Sequence, residues 1–217
     1  MNILIIGDVH GCFYTFQSIL EKYWLDNEIL IQLGDLIDRG KFSGETVQFA
    51  QSLKTNHKDR AFFLKGNHEI ELIEYQETGL NQKWLRQRGY KTVESFLSIG
   101  LSLKETSAWM KALPLVWENE SIFVSHAGIS KSSEDPFNPH DPDSVAWTRQ
   151  TLKNIGKVQI IGHTPTQSGK PEYNAQSNSW NIDTGACFSG CLSAIKLSPD
   201  GQIISTYSIP TLEQDIS

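Results

Sequence analysis

Asn2-Ile3-Leu4-Ile5-Ile6-Gly7-Asp8-Val9-His10-Gly11 is the stretch on which the reading of the fold turns. Its aliphatic run closes on a glycine and then offers a carboxylate and an imidazole, the pattern of a short buried strand whose end carries polar side chains. Phe13, Phe16, Ile19, Leu20 and Tyr23 recur at helical spacing directly afterwards, which predicts an amphipathic helix. Glu28 to Leu33 repeats the strand signal, and Ser43 is placed to cap a helix whose apolar face is Val47, Phe49, Ala50 and Leu53. Ala61 to Leu64 is a third strand, followed by helical patterns through Ile70, Ile73, Val93, Phe96 and Leu97. The order βαβαβ predicts a parallel sheet.

Beyond this half the rhythm changes. A helix near Glu105 to Leu113 precedes short strands at Ser121 to Ser125, Val158 to Ile161 and Trp180 to Asp183. Cys191 to Leu197 and Gln202 to Tyr207 flank Pro199-Asp200-Gly201, a hairpin turn. Two polar segments, Lys131 to Asp143 and Pro165 to Ser179, read as rim loops, since neither is long enough to mark a domain boundary.

The chain as a whole sets outer bounds. Its 217 residues suit one domain, 1–217, and 39% hydrophobic with 20% charged residues is the composition of a globular protein with a sizeable core. A net charge of −6 without a run of Lys and Arg argues against binding nucleic acid through its phosphates. The first residues carry no basic segment, and four apolar residues are too few for a signal peptide or a bilayer span, so no membrane association is expected. Three cysteines, Cys12, Cys187 and Cys191, cannot all pair, and Cys187 and Cys191 have no second pair to complete a zinc site. Structural thiols and a cytoplasmic location follow as expectations.

Each strand of the parallel half runs into a polar cluster: Gly7-Asp8-Val9-His10-Gly11, then Gly34-Asp35-Leu36-Ile37-Asp38-Arg39-Gly40, then Gly66-Asn67-His68-Glu69. The second half does the same at Ser125-His126-Ala127-Gly128 and Gly162-His163-Thr164. Ligands of open parallel sheets bind beyond the carboxyl ends of the strands, so Asp8, His10, Asp35, Asn67, His126 and His163 are expected on one rim. Two carboxylates, an amide oxygen and three imidazoles form a mixed nitrogen and oxygen set that suits Mn²⁺, Fe, Zn²⁺ or Co²⁺. Six ligands are too many for one catalytic ion with an open position and about right for two ions sharing a carboxylate. Two such ions outweigh both aspartates, so the rim attracts a phosphate dianion despite the acidic chain.

In order, GDVHG, GDLIDRG, GNHE, HAG and GHT resemble the signature of the phosphoprotein phosphatase (PPP) family of calcineurin-like metallophosphoesterases, from Gly7 to Thr164. The length is similar to that of the small bacterial and phage members. The resemblance implies an α/β fold, a central β-sandwich of mixed sheets flanked by helices in four layers, α/β/β/α. It implies two divalent metal ions per chain, Mn²⁺ foremost, with Fe, Zn²⁺, Co²⁺ or Ni²⁺ compatible. Asp8 and His10 would lie on the first ion, Asp35 would bridge, and Asn67, His126 and His163 would hold the second. His68 would be the general acid, paired with Asp38; Arg39 would grip the phosphate, and Arg149, in Ala146-Trp147-Thr148-Arg149, would be a second phosphate-binding arginine. Hydrolysis would be direct, by attack of metal-activated water, with inversion at phosphorus.

The substrate expected first is a phosphoprotein carrying phosphoserine or phosphothreonine, with phosphotyrosine also within reach. The alternative is a small phosphorylated molecule, a dinucleoside polyphosphate such as diadenosine tetraphosphate. Hydrolases of that kind in the family typically lack the aspartate present here as Asp38, and a monoester with an alkoxide leaving group needs an acid more than an anhydride does. A non-catalytic scaffold is a third reading, disfavoured because no motif residue is missing; a nuclease or cyclic-nucleotide diesterase is disfavoured by the acidic charge. Asp183 and the tryptophans at 109, 117 and 180 read as structural, and His57 and His140 as solvated loop residues.

Overall fold

In chain order the elements are β1 (Ile3–Ile6), α1 (Phe13–Tyr23), β2 (Ile29–Gln32), α2 (Ser43–His57), β3 (Ala61–Phe63), α3 (Asn67–Thr78), α4 (Gln82–Trp84), α5 (Tyr90–Ser98) and α6 (Leu103–Ala112). Then follow β4 (Val116–Glu118), β5 (Ile122–Ser125), β6 (Val158–Ile161), β7 (Glu172–Asn174), β8 (Ser179–Asn181), β9 (Cys191–Leu197) and β10 (Ile203–Pro210). The structure is a computed structural model and describes residues 1–216.

The strands form two five-stranded sheets, ordered β10-β9-β1-β2-β3 and β4-β5-β6-β8-β7. β1, β2 and β3 are parallel, as the alternation of strands and helices predicts, with Ile3 opposite Ile29 and Leu30 opposite Ala61. The β9–β10 hairpin adds antiparallel to the free edge of β1, so the sheet is mixed. In the second sheet β5, β6 and β8 are parallel, with antiparallel edges at β4 and β7.

Successive residues of β1 are buried on opposite faces. Ile3 and Ile5 pack with Ile31, Leu33, Ile122, Val124, Ile160 and Ile195 between the sheets. Leu4 and Ile6 pack with Phe16, Ile19, Val47, Ala50 and Phe96 under the helices. Each buried aliphatic side chain contributes roughly 1.5–3 kcal/mol, so this double-sided strand anchors both layers. The last α-helix ends at Ala112, and the outer face of the second sheet is covered by irregular chain. There Gln159 accepts from the Ile129 N–H and donates to the Lys153 carbonyl. No helix of the described residues is long and apolar enough to cross a membrane.

Four local expectations are corrected. Ser43 is the first helical residue rather than the cap; its hydroxyl accepts from the Asp38 N–H instead. Leu97 points to solvent at 72% exposure, because its helix buries only the face of Thr92 and Phe96. The segment Pro165 to Ser179, read as loop, contains β7, whose exposed edge position leaves no apolar alternation to detect. His57 closes α2, half-buried with its ring edge-on to Trp24, rather than lying in a solvated loop.

Candidate metal centre

Both sheets deliver their strand ends to one rim. Asp35, just after β2, sits at its middle: its Oδ2 lies 3.4 Å from His10 Nε2, 3.4 Å from His126 Nε2 and 3.9 Å from His68 Nε2. His126 Nε2 is in turn 3.1 Å from Asn67 Oδ1 and 3.2 Å from His163 Nδ1. The donors fall into two overlapping groups, His10 with Asp35 and His68, and Asp35 with His126 and His163, each spanning no more than 4.8 Å and sharing Asp35. Asp8 stands against the second group, its Oδ2 accepting from the His163 N–H at 3.0 Å. Gly162 makes that approach possible, because a Cβ there would come within 2.0 Å of Asp8 Oδ1.

The ring orientations are fixed from outside. His10 Nδ1 donates to the Ile37 carbonyl at 2.8 Å and His126 Nδ1 to the Leu33 carbonyl at 3.2 Å, which leaves both Nε2 atoms directed at Asp35. His10, Asp35, Asp38, Arg39 and His163 all adopt positive φ, between 46° and 71°. Non-glycine residues rarely hold that backbone, and where they do the surrounding structure has to impose it. Glu69 imposes much of it here: its carboxylate accepts from the N–H groups of Asp35, Leu36 and Gly66 and so clamps the β2 turn onto the β3 turn.

The acid pair is assembled beside this cluster. His68 Nδ1 lies 2.5 Å from Asp38 Oδ2, and its Nε2 is 3.3 Å from Arg39 Nη2. Asp38 is fully buried and also accepts from Trp84 Nε1 at 2.7 Å and from the Thr92 hydroxyl. Arg39 reaches across to the Cys187 sulfur and lies over the Phe188 ring, 5.0 Å from its centroid. Arg149 is on the exposed rim, donating to the Thr164 hydroxyl at 2.6 Å, next to His163.

Burial of so many ionisable groups together drives their titrations apart. Burial, then the neighbouring Asp183, pushes the Asp8 carboxyl well above its usual range. Asp35 goes the other way: burial opposes its charge, but His126 and His68 outweigh it and hold the carboxyl well below the usual range. His126 is raised to about 9 against burial by Asp35 and Asp8, whereas burial and the adjacent His126 press His163 down to about 3. Burial lifts Asp183 to about 6. His68 is raised because Asp35 and Asp38 overcome its desolvation.

Cations are the economical answer to this arrangement. Among the described residues the buried Asp8 Oδ1 and His163 Nε2 have no hydrogen-bond partner, at a cost that native interiors avoid unless a ligand or solvent completes them. Inward lone pairs, orphaned donors and a purely nitrogen and oxygen set fit divalent cations, with Asp35 common to both groups. All six expected ligands converge, as do His68, Asp38 and Arg39. The reading of the sequence passed over Glu69, Trp84 and Thr92. Glu69 lay inside a motif, where a carboxylate beside a strand end carried the signal; Trp84 and Thr92 gave none, because only the tertiary fold brings them to Asp38. Cys12, Cys187 and Cys191 are free thiols, Cys12 buried and the other two partly so.

A β-sandwich with buried aspartates and histidines gathered at its strand ends has the donors to hold divalent metal ions. Residues 1–186 match the calcineurin-like phosphoesterase family, and the chain belongs to it: this is a hydrolase of phosphoesters. The chain is 28% identical, over 97% of its length and 95% of the other, to the asymmetrical bis(5'-nucleosyl)-tetraphosphatase of Geobacillus sp. (strain WCH70). It is also 28% identical, over 90% of its length and 93% of the other, to serine/threonine-protein phosphatase 2 of Salmonella typhimurium. A protein serine/threonine phosphatase from Saccharomyces cerevisiae superposes with a TM-score of 0.67 at 16% identity, covering 98% of this chain and 80% of that one, a likeness of fold.

Proposed function

We propose that the protein hydrolyses dinucleoside tetraphosphates at two divalent cations held by Asp8, His10, Asp35, Asn67, His126 and His163. The observation that carries the two-cation reading is the position of Asp35 Oδ2, equally distant from His10 Nε2 and His126 Nε2. The substrate reading is supported by the end-to-end similarity to the Geobacillus tetraphosphatase, which outweighs the expectation of a phosphoprotein drawn from Asp38.

When bound, the cations lower the pKa of an attacking water and offset the negative charge of the phosphate. The chain supplies the rest. Arg39 turns its planar fork from His68 to the phosphate oxygens, and Arg149 offers a second fork from the far rim. The water gives up a proton to solvent and its oxygen bonds to phosphorus as the bridging P–O bond breaks, and the departing oxygen takes the proton on His68 Nε2. Asp38 holds the imidazole by Nδ1 and favours its protonated form. No residue becomes phosphorylated, so a chiral phosphate emerges inverted; retention overturns the mechanism.

One observation favours phosphoprotein hydrolysis as a second reading: the buried Asp38–His68 pair is the apparatus that a poor alkoxide leaving group requires. The Salmonella relative carries a matching name. Diadenosine tetraphosphate and a phosphoseryl peptide, assayed side by side with Mn²⁺, separate the two. Cleavage of the dinucleotide with the higher kcat/KM is expected; cleavage of the peptide alone overturns the proposal.

A further inference from the structure

Beyond Arg39 the rim opens into a groove that the hydrolytic step does not use. One hollow of about 610 Å³ is lined by Arg39, Lys41, Arg88, Lys91 and Ser189 among others. A second, of about 440 Å³, is lined by Arg39, Arg86, Arg88 and Phe188. The two meet at Arg39, Arg88 and Cys187, and Arg39 is the residue that touches His68. The volumes lie in the range of small-molecule sites.

The charge of the groove is at odds with that of the chain. Arg39, Lys41, Arg86, Arg88 and Lys91 gather five of the 19 Lys and Arg residues of a protein with net charge −6. Glu94 is the sole side-chain carboxylate among the described residues that line the groove. Among the described residues none of the five cations is within ion-pair distance of a carboxylate. Unpaired arginines converging on one hollow form a site for an extended anion. Beside them Phe188 is 61% exposed, a large apolar ring with the Arg39 guanidinium 5.0 Å from its centroid.

The backbone keeps these side chains in place. Between α4 and α5, Arg88 takes φ 78°, and across the groove Ser189 takes φ 61°, the same strained region as the catalytic turns. Gly89 packs flat on the Trp84 ring, where a Cβ would come within 2.4 Å, and Trp84 is hydrogen-bonded to Asp38. The turn that presents Arg86 and Arg88 is therefore tied to the acid pair.

Resting on the dinucleotide reading, we infer that this groove is the subsite for the departing nucleoside polyphosphate: Arg86, Arg88, Lys91 and Lys41 hold its phosphates and Phe188 stacks on its base. A string of phosphates needs several cations in a row, and a nucleobase offers a π-face to an exposed ring. A phosphorylated side chain has one phosphate to bind and no base.

The test compares kcat/KM on diadenosine tetraphosphate with kcat/KM on p-nitrophenyl phosphate, which is too short to enter the groove. Wild type, an Arg86→Gln/Arg88→Gln double variant, Lys91→Gln and Phe188→Ala are each loaded with Mn²⁺ and checked for an unaltered melting temperature. Lys91 is exposed on a helix, so its variant guards against misfolding of the turn. The expected result is a fall in the ratio on the order of 10²- to 10⁴-fold for the double variant, as loss of two charge-assisted contacts implies, with smaller falls for Lys91→Gln and Phe188→Ala. A wild type that ignores the dinucleotide and cleaves a phosphopeptide overturns the substrate reading. A wild type that cleaves the dinucleotide, with ratios unchanged in all variants, overturns the groove assignment alone. A loss confined to an acidic phosphopeptide reassigns the groove to peptide and also overturns it.

Discussion

The Asp/His cluster and the basic groove lie on either side of Arg39, and they are built on opposite terms. In the cluster the charged groups are buried, the outer nitrogens of His10 and His126 are bonded to backbone carbonyls, and the backbone of His10, Asp35 and His163 is held in the left-handed region. In the groove Lys41, Arg86, Arg88 and Lys91 are exposed and rise from a turn and a helix face. Burying a charge costs several kcal/mol unless a counter-charge meets it, whereas an exposed arginine in high dielectric costs little. The cluster therefore tolerates almost no displacement of its donors. The groove keeps only its sign and approximate position, and specificity is free to vary there while the chemistry stays fixed.

The largest effect should come from Asp35→Asn. Removing the shared carboxylate should weaken metal binding by more than the ~10- to 100-fold typical of losing an outer-sphere partner, and hydrolysis of every substrate should vanish with it. The groove should survive: the variant should still bind ATP, measured by calorimetry without metal, with the affinity of metal-free wild type. If nucleotide binding disappears as well, the two regions are one site and the contrast is broken.

His68→Asn comes next. Elemental analysis should find the metal content of wild type, while turnover of a phosphoseryl peptide falls by roughly 10²–10⁴-fold, the usual contribution of general acid catalysis. The loss on diadenosine tetraphosphate should be smaller, since a departing phosphate oxygen needs less help from a proton. Equal losses on both substrates would remove His68 from the role of acid.

The same contrast explains what the sequence made legible. Asp8, His10, Asp35, Asn67, His126 and His163 are readable because a buried strand end flanked by glycine is a local pattern, and five of them recur in order. The parallel pairing of β1, β2 and β3 follows from helices inserted between apolar runs. The antiparallel addition of β9 to β1 joins residues more than 100 positions apart, and the gathering of the later strands into a second sheet, though its partners lie closer in sequence, is decided by tertiary packing; neither leaves a local trace. The groove is invisible for a related reason. Its cations come from positions 39–41 and 86–91 and its aromatic from 188, so no basic run appears. Trp84 and Thr92 read as ordinary helix residues until the fold sets them against Asp38.

Thr92→Val tests the seam between the regions. Valine keeps the shape but withdraws the hydroxyl that donates to Asp38, leaving a buried carboxylate oxygen without that partner. A loss of about 1–3 kcal/mol in urea-unfolding stability is expected. Turnover of the phosphoseryl peptide should drop several-fold at unchanged KM, because His68 loses the rigidity of its anchor, and Thr92→Ser should restore both. Restored stability without restored turnover would confine Thr92 to packing.

The smallest effect concerns a carboxylate outside both regions. Glu71 is 3% exposed, its Oε2 has no partner among the described residues, and its nearest cation, Lys83 at 3.7 Å, is mostly in solvent. Burial raises its carboxyl above the usual value. Ionising it therefore costs more in the folded than in the unfolded chain. That penalty is absent at pH values below the ordinary glutamate pKa of about 4.3, grows as pH rises from there to the folded value, and is fully present above it. Glu71→Gln removes it and sacrifices only a largely exposed ion pair, worth about 0–1 kcal/mol. The melting temperature of the variant should exceed that of wild type at pH 7 and coincide with it near pH 4, at any metal concentration. Asp8 and Asp35 should behave differently, since added Mn²⁺ should raise the melting temperature of wild type through them. If Glu71→Gln lowers the melting temperature at pH 7, Lys83 neutralises this site as cations do the cluster, and the distinction between completed and uncompleted buried carboxylates fails at its simplest case.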